Sequence, residues 1–177
     1  MSNWNKVFKP IVVLCVICIV ITGALAATNS VTAPIIEAAT IKAQNEARFE
    51  LLPDADEFTK VEGISVDNVS DVYTANNGVG TVVTSSAKGY GGTMTVMVAF
   101  TPEGNIKQLK VTEAAETKGI GSNVSEGASY WENYAGKSAD KALVLGTDVD
   151  AYSGATISSK ALNAAVNAAI EAYNMIP

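Results

Sequence analysis

"DVYTANNGVGTVVTSS", residues 71–86, decides the fold class. Two runs rich in β-branched and aromatic residues flank Asn76-Asn77-Gly78. Such runs suit a pleated, half-buried surface, and Asn-Gly supplies the positive φ that a tight hairpin turn needs. On the C-terminal side, "TMTVMVAF" (93–100) and "NIKQLKVTEA" (105–114) flank a second turn signal, Thr101-Pro102-Glu103-Gly104. Met94, Val96 and Val98 alternate with Thr93, Thr95 and Met97, the period of a sheet with one buried face. These segments predict four antiparallel strands. Further along, "NVSEGASYWENYAG" (123–136) predicts a helix with its aromatics turned inward, "ALVLGTD" (142–148) a short strand, and residues 156–173 a closing helix. Residues 53–64 match no single element. The fold class is α+β: an antiparallel sheet with flanking helices, preceded by one N-terminal transmembrane helix.

That last element rests on a charge-free run from Pro10 to Ile36, with an almost wholly apolar core from Ile11 to Ala27. A helix of about 20 apolar residues spans a bilayer, so the run is long enough. Lys6 and Lys9 precede it and the next charge is Glu37, which puts the N-terminus in the cytoplasm and the remainder outside. The lysines, the apolar core and Ala24-Leu25-Ala26 also match a signal peptide with its cleavage site. Under either reading the bulk of the chain leaves the cytoplasm. Thr32 and Pro34 make a helix start, and Ile35, Ile36, Ala39, Ala43, Ala47 and Leu51 recur at helical spacing, giving one long helix or two in line. The chain thus divides into a cytoplasmic N-terminus and transmembrane helix (1–30), a stem helix (31–55) and an extracytoplasmic domain (56–177).

Composition removes several classes of function. Without Lys6 and Lys9, 10 basic residues face 18 acidic ones, a net charge of −8. Nucleic-acid affinity depends on neutralising phosphates, so no nucleic-acid partner is expected. The two cysteines, Cys15 and Cys18, sit inside the apolar run as small apolar residues. The exported part therefore has neither a disulfide nor a thiolate-held cluster. Histidine is absent, which removes the usual general base and the commonest metal ligand. No catalytic residue and no metal ligand is assigned.

Two glycine-rich loops interrupt the strand pattern. "KGYGGTM" (88–94) sets Gly89, Gly91 and Gly92 around Tyr90, and "ETKGIG" (116–121) combines Glu116 and Thr117 with Gly119 and Gly121. Glycine permits close backbone approach, which suits a loop laid over a flat ligand and equally a plain hairpin loop. "DAYSGATISSKALNAAVNAAI" (150–170) opens the closing helix, with Asp150 or Ser153 as its cap. The same helix start is an anion site, since its free amides and dipole favour phosphate. Gly154 and Ala155 leave room there, and Thr156 adds a hydroxyl. Thr156 has no adjacent base, so a covalent ester on it requires a second enzyme.

Asp150-Ala151-Tyr152-Ser153-Gly154-Ala155-Thr156 resembles the flavinylation motif Asp-x-x-(Ser/Thr)-Gly-Ala-Thr of the FMN-binding domain family. "GYGG" and "ETKGIG" resemble recurring segments of the same family, in the same order, and the apolar stem agrees. Lys118 stands where the family usually carries proline. The resemblance implies FMN held through a phosphoester on Thr156 (a phosphothreonyl-FMN), installed by a flavin transferase. It implies cofactor contacts from Asp150, Tyr152, Ser153, Gly154, Ala155, Tyr90, Gly91, Gly92, Glu116, Thr117, Gly119 and Gly121. Tyr130 and Trp131 join Tyr152 as candidate aromatic partners of the ring. Within the family the likeness is nearest to the Rnf complexes, ion-translocating ferredoxin:NAD oxidoreductases. That implies an electron-carrying membrane subunit whose partners are the other membrane subunits. Alternatives are a component like the C subunit of a sodium-pumping NADH:quinone reductase, a pilin-like surface protein, and a secreted phosphate-ligand binder without redox work.

Overall fold

The alternating segments form a five-stranded sheet in the order β1-β2-β3-β4-β5, every neighbour antiparallel. The structure, a computed structural model, describes residues 8–176; Lys6 lies outside them. β2 (Val69–Ala75) and β3 (Thr81–Lys88) make the hairpin around Asn76-Asn77-Gly78, and β4 (Thr93–Phe100) and β5 (Ile106–Ala114) make the second. The additional strand is β1 (Phe58–Lys60), paired with β2 through Phe58↔Ala75 and Lys60↔Tyr73. Its three residues, Phe-Thr-Lys, are too few to display a period.

The expectation of one buried face is corrected. Met94, Val96 and Val98 face the main core, as their period requires, but Met97 and Ala99 on the other face are fully buried too. Leu51, Leu52 and Ala47 cover them, together with Val82. On the main side lies α4 (Thr156–Tyr173), which presents Leu162, Ala165, Val166, Ala169 and Ile170 to the sheet. Ser85 Oγ donates to the Ala165 carbonyl at 2.7 Å inside this interface, which pins the helix to β3.

Two expected elements differ. Residues 123–136 form two single turns, α2 (Ser122–Ser125) and α3 (Ala128–Trp131), followed by a 3₁₀ turn at Glu132–Tyr134. The inward aromatics are Tyr130 and Tyr134, and burial pushes the Tyr134 hydroxyl well above its ordinary pKa. Residues 142–148 contribute no strand, only an isolated bridge between Leu145 and Val149. The reason is tertiary. The Leu143 amide donates to Asn167 Oδ1 (2.8 Å), and its carbonyl accepts from Asn163 Nδ2 (2.9 Å) and Asn167 Nδ2 (3.0 Å). Side chains of α4 thus satisfy the backbone groups that a strand partner would otherwise bind.

α1 (Lys9–Leu51) is one helix and passes through Thr32 and Pro34 without a new start. Every residue from 8 to 31 is exposed, and the apolar surface they present suits lipid. Among the described residues it is the one helix long and apolar enough to cross a membrane. Thr28, Ser30 and Thr32 return their hydroxyls to the Ala24, Ala27 and Thr28 carbonyls, which lowers the cost of polar groups in an apolar medium. The described residues divide into a helical unit ending at Ala43 and a compact unit from Gln44 onward.

The packing makes a graded prediction. In urea unfolding of the full chain in detergent, Leu162→Ala costs about 2–5 kcal/mol, the range for a buried large-to-small change. Asn167→Ala costs less, about 1–3 kcal/mol, because it orphans the Leu143 amide. The reverse order would contradict this account of how α4 is held.

Candidate functional site

Three segments far apart in sequence meet at one cavity of about 490 Å³. The loop before β4 contributes Tyr90, the loop after β5 contributes Glu116, Thr117, Ile120 and Gly121, and the start of α4 contributes Gly154 to Ser158. The cavity lies within the range of about 300–1,000 Å³ typical of small-molecule sites.

Glu116 joins the two glycine loops. Its Oε1 accepts the Tyr90 amide at 3.0 Å. A Cβ at Gly89 would overlap Oε1, and one at Gly121 would overlap Oε2, so the carboxylate occupies space that these two glycines leave open. Gly91 and Gly92 do not line the cavity; they press against Ala115. Gly119, at φ +80°, also lies off the wall, and its amide donates to Ser122 Oγ at 2.8 Å. The Thr117 carbonyl accepts both the Ile120 and the Ser122 amides at 3.2 Å. These bonds hold the loop in shape with lysine, not proline, at position 118.

The start of α4 departs from expectation. Neither Asp150 nor Ser153 caps it: the N-cap is Ala155, with no side-chain hydrogen bond. Instead Ser159 Oγ accepts the Tyr152 amide and donates to the Ala155 carbonyl, both at 3.0 Å. Gly154, at φ +84°, turns the chain into the helix. The first-turn amides thus lack an internal anion partner, and Thr156 is exposed beside them. Asp150, Tyr152 and Ser153 line a separate hollow of about 470 Å³ with Ser129, Tyr130 and Asn133. Tyr130 donates its hydroxyl to the Asp150 carbonyl at 2.9 Å and meets Tyr152 edge-on, while Trp131 Nε1 donates to the Val124 carbonyl. Tyr130 thus braces the motif, and none of these three aromatics lines the main cavity. Sequence reasoning missed Ile157 and Ser158, and left Ile120 unassigned within its loop. All three sit inside or directly after quoted segments.

The chemistry of the wall fits FMN. Tyr90, Ile120 and Ile157 offer apolar and aromatic surface for a flat ring system. The uncapped end of an 18-residue helix suits a phosphate, with a threonine hydroxyl in reach of it. Glu116 brings a carboxylate to the wall, with Oε1 taken by the Tyr90 amide and Oε2 buried without a hydrogen-bond partner. Gly121→Ala tests the crowding around it. The added methyl displaces the Glu116 carboxylate and lowers stability by about 1–3 kcal/mol, the usual penalty for overpacking, as read from thermal unfolding.

Comparison with known proteins agrees with this geometry. The model of the FMN-binding domain family matches residues 89–171, from the first glycine of the Tyr90 loop to near the end of α4. The G subunit of the proton-translocating ferredoxin:NAD(+) oxidoreductase complex of Clostridium ljungdahlii is 32% identical, over 96% of this chain and 93% of that protein. The G subunit of the Na(+)-translocating ferredoxin:NAD(+) oxidoreductase complex of Acetobacterium woodii is 34% identical, over 97% and 93%. The G subunit of the ion-translocating oxidoreductase complex of Methanosarcina acetivorans is 30% identical, over 97% and 96%. With an FMN-binding domain whose motifs converge on one cavity, and with such similarity along nearly its whole length, the chain belongs to the family of G subunits of ion-translocating ferredoxin:NAD(+) oxidoreductase complexes.

Proposed function

We propose that this chain is a membrane-anchored electron carrier of a Rnf-type complex, with FMN held as a phosphoester on Thr156. The observation that carries the reading is the meeting of the two glycine loops with the uncapped start of α4 around one cavity, with Thr156 in its wall. When bound, FMN supplies the one- and two-electron chemistry.

The chain's own residues do the rest. The first-turn amides and dipole of α4 hold a phosphate diester, while Gly154 and Ala155 keep bulk away from it. Tyr90, Ile120 and Ile157 supply the apolar contact that shields a ring from water, with Glu116 and Thr117 as polar partners. No histidine exists to activate Thr156, so ester formation falls to a separate flavin transferase acting on an exposed hydroxyl. A covalent tether keeps a cofactor from being lost outside the cytoplasm, because the released group stays at high local concentration.

α1 anchors the chain, with Lys9 at its cytoplasmic end and the compact unit on the outer side. Its partners are the other membrane subunits of the complex, which deliver and remove electrons.

Co-expressed with a flavin transferase, the full chain gains the mass of one FMN less water and fluoresces yellow-green on a denaturing gel. Thr156→Val removes both signals; a variant that kept them would place the bond elsewhere. The membrane assignment has its own check. Protease added outside spheroplasts degrades the compact unit while leaving a cytoplasmic marker intact, and survival of the compact unit would reverse the orientation.

A further inference from the structure

The sheet ends in two unlike edges. β1 is three residues long, whereas β5 runs for nine without a proline. Across the second hairpin the Thr101 amide donates to the Asn105 carbonyl at 2.8 Å, so Ala99 and Met97, at alternate positions along β4, also direct their backbone groups to β5. They stand opposite Gln108 and Lys110. Leu109 and Val111 therefore turn their N–H and C=O groups outward. Ile106 does the same before the register shift at Ala99/Phe100, and its outward groups are taken by the Gly136 amide (2.7 Å) and the Lys137 carbonyl (2.8 Å). Among the described residues no backbone group or side chain meets those of Leu109 and Val111. A hollow of about 310 Å³ opens along this edge, lined by Lys107, Leu109 and Lys110 and by Ala128, Trp131 and Ala135. Both lysines are tied to the end of α1 and the turn after it, Lys107 to Asp54 at 3.5 Å and Lys110 to Glu50. They do not fold over the edge as guarding charges do.

We infer that the outer edge of β5 takes up an extended segment of another subunit of the complex as an added strand, with apolar side chains toward Trp131 and carboxylates toward Lys107 and Lys110. This rests on the chain's assembly with other subunits and not on the flavin. The edge itself names the class of occupant. Free N–H and C=O groups alternating along a strand are matched by another strand, not by a helix or a lipid. Trp131, Ala128 and Ala135 give the segment apolar cover on the core side. On the other side each lysine ammonium has three N–H donors, so a second carboxylate can join the one already paired. Successive residues of a strand point to opposite faces, and the segment accordingly alternates acidic with apolar side chains. A second copy of β5 matches the edge less well. Antiparallel pairing of Leu109 with Val111 of such a copy sets Lys110 directly opposite Lys110, a like-charge pair.

Hydrogen–deuterium exchange, read residue by residue, compares the wild-type full chain alone in detergent with the same chain in its assembled complex. The Leu109 and Val111 amides exchange at least about tenfold more slowly in the complex, while the Ile106 amide, already bonded within the chain, changes little. Equal exchange of the Leu109 and Val111 amides in the two states overturns the inference. Protection that instead grows with the concentration of the isolated chain assigns the edge to a second copy, and overturns it too. Val111→Pro removes one outward N–H and leaves the bonds of Gln108 and Lys110 to β4 in place. With thermal unfolding unchanged, the tagged variant recovers about tenfold less of the other subunits than the wild type does. Full recovery overturns the inference, and if the variant fails to fold, the exchange comparison on the wild type decides. A wild-type chain that recovers no other subunit overturns the assembly on which the inference rests, whatever its flavin content.

Discussion

The seating of α4 across the middle of the sheet is the interaction on which the rest depends. Leu162, Val166 and Ile170 bury themselves against β3 and β4, and the Ser85–Ala165 hydrogen bond fixes the helix along its axis. Translation of α4 by one turn, about 5.4 Å, would carry Thr156 out of the cavity wall. The same helix holds Leu143 through Asn163 and Asn167, so the long connection from α3 is tied to it as well. Site geometry here is a consequence of core packing. The hydroxyl proposed to carry the cofactor sits at the first residue of the most deeply packed helix.

A second constraint operates at the loops. Gly91 is required by its close approach to the Ala115 carbonyl, and Gly89 and Gly121 leave the space that the Glu116 carboxylate fills. Absence of side chains lets a carboxylate lie between two loops, and the carboxylate brings those loops to the end of α4. An uncapped helix start follows the same logic. Ser159 satisfies the turn at Tyr152, and the leading amides of α4 have no side-chain cap.

α1 links a surface made for lipid with a terminus made for protein. Its residues up to 31 are exposed and, Lys9 aside, uncharged, whereas Ala47, Arg48 and Leu51 are buried in the compact unit. Arg48 lies 3.8 Å over the Tyr73 ring and donates to Asn45 at 2.5 Å. Burial lowers its pKa, with Tyr73 and Asp71 opposing that shift. Lys110 pairs with Glu50 nearby, and Gln108 Nε2 donates to the carbonyls of Glu50 and Leu51 at the helix end. The last turns of α1 thereby become part of the core of the domain, through contacts between residues some 60 positions apart in the chain.

Local sequence was sufficient for whatever depended on local chemistry. The two hairpins followed from Asn-Gly and Pro-Glu-Gly turns between alternating strands, the closing helix from its alanine-rich periodic face, and the span from an uninterrupted apolar run. The segments that meet at the cavity were legible too, since Thr156, Glu116 and Tyr90 stand beside glycines that punctuate those elements. Tertiary structure alone decided the matters that depend on distant partners. β1 exists because β2 offers it an edge, and residues 142–148 stay irregular because two asparagines of α4 take their backbone bonds. Asp150 and Ser153 carry good capping side chains, yet the turn at Gly154 leaves the helix uncapped and divides the motif between two hollows. Short-range propensity is encoded residue by residue, but the competition for each hydrogen bond and each buried surface is settled only when the whole chain has packed.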